Sequence, residues 1–281
     1  MNHSVYLRPA KVEDALQALA SRPFNVLAGG TDFYPARVGR CVREDILDIT
    51  ALAPLKGITQ NEEGWRIGAL TTWTDLIDTP LPSVFDGVKL AAREVGGLQI
   101  QNTATVTGNL CNASPAADGI PPLMALSAQV ELSSIKAQRR IALTDFVTGN
   151  RHTARQADEL VTAVLVPQHG PRARSTFLKL GTRRYLVISI AMVAVTVDVS
   201  ADGTIVRASV VVGACAPVAR HIPALEARLL GRSLSSELGD LVTPTDLSVL
   251  TPISDIRASS RYRLDAAVTL IRRALQGLAD E

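Results

Sequence analysis

Cysteine is scarce and scattered. Cys41, Cys111 and Cys215 are the three in 281 residues, and no C-x2-C pair occurs. That excludes a disulfide framework and a thiolate-held zinc or iron–sulfur site. The four histidines, His3, His152, His169 and His221, are equally dispersed, so no metal ion is expected on this chain. No apolar run reaches the ~18 residues that a bilayer-spanning helix needs. The most hydrophobic stretch, Leu186 to Val197, is interrupted by Ser189 and Thr196. An excess of one charge is missing too, since 29 Lys+Arg face 27 Asp+Glu for a net +2. No stretch interleaves basic residues with aromatics, so neither nucleic acid nor membrane is an expected partner. The first residues, MNHSVYLRPA, lack the basic start and apolar core of a secretion signal, and the expected compartment is the cytoplasm. What is present, 47% hydrophobic residues, describes a folded globular protein of one large or two modest domains.

Along the chain, Val12, Ala15, Leu16 and Leu19 recur at helical spacing, and a short buried strand, Asn25 to Ala28, runs into Gly29 and Gly30. Glycine there lets the backbone take positive φ and approach a ligand with no Cβ in the way. ILDIT (46–50) and GWRIGAL (64–70) read as further strands, with Thr71 or Thr72 as cap of a short helix. A helix over 84–95 halts at Gly96 and Gly97. The segment 99–126, QIQNTATVTGNLCNASPAADGIPPLMAL, is nearly free of charge and rich in Thr, Asn, Ser, Gly and Ala. Its aliphatic anchors, Ile100, Val106, Leu110, Ile120 and Leu123 among them, predict an ordered, buried, functional loop. QVELSS, RRIALTDFVTG and ELVTAVLVP supply strands up to Pro167, and HGPRARS (169–175) is the expected connector. Beyond it, β-rich runs joined at Asp202-Gly203 predict an antiparallel sheet, followed by helices in ALEARLLG and YRLDAAVTLIRRALQGLAD.

Chemistry-bearing motifs are few. There is no G-K-[ST], no G-x-G-x-x-G and no G-x-S-x-G. Asp32, Asp75, Asp118 and Asp145 carry no pairing that sequence reveals, so no residue is assigned a catalytic role. The leads are two small-residue segments, NVLAGGTD (25–32) and TATVTGNL (103–110). Each joins an apolar strand to a turn offering backbone N–H donors to a phosphate, and together they could grip a pyrophosphate from two sides. Such a chain is built to hold a cofactor that brings its own reactivity. Lys179, on a strand after the connector, reads from the residues as a lysine pointing to solvent.

The ordered series NVLAGGTDFYPARVGR, DITAL, IGALTTWTDL, the segment 99–126, LTDFVTG, DELVTAVLVP, FLKLGTRR and DIRASSRYRLDAAVTLIRRAL closely resembles the FAD-binding medium subunit of molybdenum hydroxylases. That group includes the flavoprotein subunits of carbon monoxide dehydrogenase, xanthine dehydrogenase and nicotinate dehydrogenase. The resemblance runs end to end and implies an α+β architecture: a two-part FAD-binding domain of the PCMH, vanillyl-alcohol-oxidase-like type over 1–173, with subdomains of about 1–58 and 59–173. A C-terminal α+β domain over 174–281, resembling that of the carbon monoxide dehydrogenase flavoprotein, would follow. It implies FAD on this chain, with molybdopterin on a large partner subunit, iron–sulfur clusters on a small one, and a soluble electron acceptor such as NAD. The first loop, Asn25, Val26, Leu27, Ala28, Gly29, Gly30, Thr31 and Asp32, would wrap the FAD pyrophosphate. Thr105, Val106, Thr107, Gly108 and Asn109 would contact phosphates and flavin, Asp118 the sugar region, and Val161 and Lys179 the vicinity of the flavin.

Two departures from the family pattern stand out. Thr107 occupies a position that is usually glycine, which raises the steric demand if positive φ is required there, and Gln101 replaces a common arginine. Thr107 motivates the competing expectation of a non-catalytic assembly or scaffold subunit that retains the fold with weakened or lost FAD binding.

Overall fold

The computed structural model describes residues 4–39 and 41–280. Its first unit is a three-stranded parallel sheet in the order β1 (Tyr6–Leu7), β3 (Ile46–Asp48), β2 (Asn25–Leu27). Helix α1 (Val12–Ser21) carries Glu13 and Asp14 in its first turn, where acidic groups complement the helix dipole. It buries Ala15 and Leu19 against Leu47, Ile49, Leu52 and Leu55. Because β2 and β3 are parallel, the chain leaving β2 must return the full strand length before β3 begins. Residues 28–33 therefore lie beyond the carboxyl end of β2, the side of a parallel sheet where ligands bind.

The second unit is antiparallel, in the order β4 (Ile58–Asn61), β5 (Gly64–Gly68), β10 (Leu160–Pro167), β6 (Gln129–Ser133), β7 (Gln138–Ala142). β4 escapes the sequence reading because it is an exposed edge strand with no buried alternation. Thr72, not Thr71, caps helix α2 (Trp73–Asp78): its hydroxyl accepts from Asp75 N while the Asp75 carboxylate accepts from Thr72 N. The Thr71 hydroxyl donates instead to Gly57 O. Helix α3 (Asp86–Glu94) stops before Gly96, whose φ is +58°.

The segment 99–126, expected as a loop, is instead mostly helical. It contains the end of α4 (Leu98–Gln101), then α5 (Val106–Asn112) and α6 (Ile120–Ala125). Thr105 caps α5, and Pro121 and Pro122 sit in the first turn of α6, where their missing N–H groups cost nothing. All six residues of α6 are buried, so it shows none of the amphipathic periodicity by which a helix is recognised in sequence. The unit closes through α7 (Leu143–Phe146) and a small hairpin of β8 (Val147–Gly149) and β9 (His152–Thr153).

A bidentate ion pair ties the segment before β10 to β7. Arg139 Nε and Nη2 donate to the two Glu159 carboxylate oxygens at 2.6 and 2.9 Å, and Gln156 N donates to Oε2 at 2.7 Å. These bonds hold the Glu159 carboxyl below the usual carboxylate range. A depressed folded-state pKa contributes stability that is present above the unfolded value of ~4.3 and is lost as pH falls through the folded one. Glu159→Gln should therefore lower the melting temperature at neutral pH and flatten the loss of stability on acidification. Thermal melts from pH 7 down to pH 3 would read this, and an unchanged acid limb would count against it.

The C-terminal unit is an antiparallel sheet, β11 (Arg174–Leu180), β12 (Ala191–Val199), β13 (Ile205–Gly213) and β14 (Arg220–His221), with a turn at Asp202-Gly203 where Gly203 has φ +85°. Alternate residues of β12 face opposite ways. Val193, Val195 and Val197 pack with α8 (Pro223–Leu229) and α9 (Ser260–Asp280), whereas Met192 and Ala194 join the core of the second unit. Burial on both faces makes this strand read as one continuous apolar run. Among the described residues no helix is long and apolar enough to cross a membrane.

Candidate cofactor-binding cleft

A cleft of about 580 Å³ lies where the first and second units meet. One wall is residues 24–33, and the other is built from Trp73, Ile100, the start of α5, Arg151, Arg155, Leu160 and Val161. The walls cross at Gly29. A Cβ placed there would lie 2.0 Å from Thr103 O and 3.1 Å from Ala104 Cα, both backbone atoms, so only glycine permits the approach. Gly30 adopts φ +69°, and Tyr34 N donates to Gly30 O to close the turn. Among the described residues, the N–H groups of Gly29, Gly30, Thr31, Asp32 and Phe33 are donated to no other protein group. Consecutive unspent amides on a concave wall form the kind of nest that holds a phosphate.

On the facing wall, Thr105 Oγ1 accepts from Gly108 N at 2.9 Å, Val106 N donates to Thr71 O and Trp73 N to Ala104 O. Asn109 Oδ1 accepts from Gly119 N at 3.2 Å, which fixes the loop into α6. Thr107 stands inside α5, and its φ is not positive, so its β-branched side chain meets no left-handed backbone. The steric demand raised by reading this position as a loop glycine does not arise. Thr107 Oγ1 and Trp73 Nε1 are buried without a hydrogen-bond partner, and both residues line the cleft. Orphaned buried polar atoms of this kind call for a bound group or an ordered water.

Of the residues singled out by sequence, Asn25, Val26, Leu27, Ala28, Gly29, Gly30, Thr31, Asp32, Thr105, Thr107, Gly108, Asn109 and Val161 line this one cleft. Val106 does not: its side chain is fully buried in the core. Asp118 and Lys179 also lie outside the cleft wall, where they pair with each other. Lys179 Nζ donates to Asp118 Oδ2 at 2.6 Å, and the Ser189 hydroxyl donates to Asp118 Oδ1 at 2.6 Å. Both side chains are more than nine-tenths buried, which overturns the reading of Lys179 as a solvent-pointing lysine. Burial pushes the Asp118 carboxyl up from its usual range, and the Lys179 ammonium pulls it back. Arg37, Arg151 and Arg155 on the cleft wall escaped the sequence reading, because an isolated arginine in a turn carries no motif.

Among the described residues no cluster of three or more His, Cys, Asp or Glu could hold a metal ion. What the walls offer is a backbone nest, small side chains and cationic groups, a donor set suited to a diphosphate-bearing nucleotide. Residues 2–169 match the family described as the FAD binding domain in molybdopterin dehydrogenase, and residues 176–278 match the CO dehydrogenase flavoprotein C-terminal domain. The chain belongs to this family of FAD-binding medium subunits.

Its relatives include the nicotinate dehydrogenase FAD-subunit of Eubacterium barkeri, 30% identical over 98% of this chain and 96% of the relative. The glyceraldehyde dehydrogenase medium chain of Sulfolobus acidocaldarius is also 30% identical, over 98% of each chain. Among solved structures, CO dehydrogenase from Oligotropha carboxidovorans matches with a TM-score of 0.90 and 25% identity, covering 99% of this chain and 98% of the other. The medium subunit described here thus shares the two-domain FAD-binding architecture of an oxidoreductase family over nearly its whole length.

Proposed function

We propose that this chain is the FAD-carrying electron-transfer subunit of a heteromeric molybdenum-dependent hydroxylase. It would work in the cytoplasm beside a large molybdopterin-binding subunit and a small iron–sulfur subunit, passing electrons from the latter's clusters to an acceptor such as NAD. FAD supplies the redox chemistry when bound. The protein's part is to hold, orient and shield it. The amides of residues 29–33 take the diphosphate from one side, the Thr105, Thr107 and Asn109 side chains at the start of α5 face it from the other, and Val161 borders the same cleft. Asp118 and Lys179 act from behind that wall, as a pair. We further propose the division into 1–173, with parts of about 1–58 and 59–173, and 174–281.

The observation that carries this reading is the backbone crossing at Gly29 beside a row of unspent amides. Against a subunit that keeps the fold without flavin stands the helical setting of Thr107, which removes the steric objection. Purified full chain should be yellow and release FAD on denaturation. Stripped protein should be stabilised by about 2.7 kcal/mol when FAD is restored at a hundred times its dissociation constant. Colourless protein whose melting temperature FAD does not move would reject the proposal.

A further inference from the structure

The turn between β8 and β9 places an arginine on the wall of the cleft. Arg151 takes φ +57°, and its N–H donates at 2.8 Å to the carbonyl of Ala113, itself at φ +47° where α5 ends. A left-handed residue with a Cβ costs on the order of 1 kcal/mol, so this backbone is held in place by its neighbours. From there Nη1 of Arg151 donates to Asp32 Oδ2 at 3.0 Å and to Asn112 Oδ1 at 2.7 Å. Asp32 belongs to the loop after β2 and Asn112 is the last residue of α5, so one guanidinium nitrogen joins the two walls. Among the described residues its Nε and Nη2 make no hydrogen bond.

The other cations of the cleft wall are committed elsewhere. Arg37 pairs with Glu44, donates to Phe33 O and lies 3.7 Å from the centre of the Phe33 ring. Arg155 donates to two carbonyls of its own loop, Gln156 O and Glu159 O. Among the described residues Asp32 is the one carboxylate lining the cleft, and Arg151 neutralises it. A guanidinium with one edge spent across the two walls and the other edge free is suited to a phosphate oxygen.

We propose that Arg151 is a latch for the diphosphate-bearing cofactor of this cleft. Its free edge donates to a phosphate oxygen while Nη1 keeps Asp32 and Asn112 together, so that it sets the rate of cofactor release. The inference rests on the FAD reading and adds a binding residue to it. The ion pair is more than half exposed on both sides, and such pairs contribute little to folding, so substitution tests binding and not the fold.

The experiment measures FAD release from the full chain by the recovery of flavin fluorescence, at two ionic strengths. Arg151→Ala should release FAD at least about tenfold faster, the scale of one charge-assisted hydrogen bond, with a weakened salt dependence and an unchanged melting temperature in the absence of FAD. Arg151→Lys should recover only part of the loss. If Arg151 merely neutralises Asp32, the Asp32→Asn, Arg151→Ala double variant would release FAD at the parental rate, and the latch is overturned. Parental protein that binds FAD, with Arg151→Ala releasing it within twofold of the parental rate, overturns the latch alone. Parental protein that binds no FAD overturns the cofactor reading and the latch with it.

Discussion

Gly29→Ala should strip the protein of FAD. The added methyl would stand 2.0 Å from Thr103 O and 2.7 Å from Thr103 C, and neither backbone atom can rotate away as a side chain would. The loop after β2 and the segment entering α5 must separate, at an overpacking cost of about 1–3 kcal/mol. The separation also spreads the two sets of donors that face each other across the cleft. Losing two hydrogen bonds to a charged diphosphate corresponds to roughly a hundredfold in affinity. Flavin content after purification and FAD titration of the stripped protein would measure it. Gly277 in α9, where an added methyl would meet nothing within 4 Å, is the control, since alanine there should leave FAD binding unchanged. Gly29→Ala protein that retains FAD with parental affinity would show that the close crossing of the two walls is not needed for binding.

Breaking the Asp118–Lys179 pair should have the largest effect on stability. Lys179→Met leaves a carboxylate that is more than nine-tenths buried, with the Ser189 hydroxyl as its remaining side-chain partner at 2.6 Å. Removing one member of such a pair costs about 3–5 kcal/mol, or roughly 10 °C in melting temperature for a chain of this size. Asp118→Asn combined with Lys179→Met should recover much of the loss, because no buried charge is then left without its partner. Urea denaturation of the single and double variants reads the difference. The pair joins the turn before α6 to β11, so the single variants should also loosen the FAD cleft through Gly119 and Asn109. Additive losses in the double variant would mean that the two side chains do not act as a pair.

Local chemistry made much of this protein readable from its residues. The strand ending at Gly29 and Gly30, the cap before α2, the glycine stop after α3 and the turn at Asp202-Gly203 each rest on a few neighbouring residues. Their signatures survive without tertiary context. Within each of the two short segments the small residues are contiguous and readable, whereas bringing those segments and Val161 to one cleft is the work of the fold. The helices within 99–126 were not readable, because α6 is buried on all sides and α5 is a short run of small and polar residues. Edge strand β4 left no alternation to find.

The residues themselves determined which backbone could bend and approach, through glycine, threonine and asparagine at fixed spacing. Tertiary packing alone decided which charges meet. Asp118 finds Lys179 across 61 positions, and Arg151 finds Asp32 across 119. A pairing of that span is set by how three sheets stack, and no periodicity or local propensity in the chain encodes it.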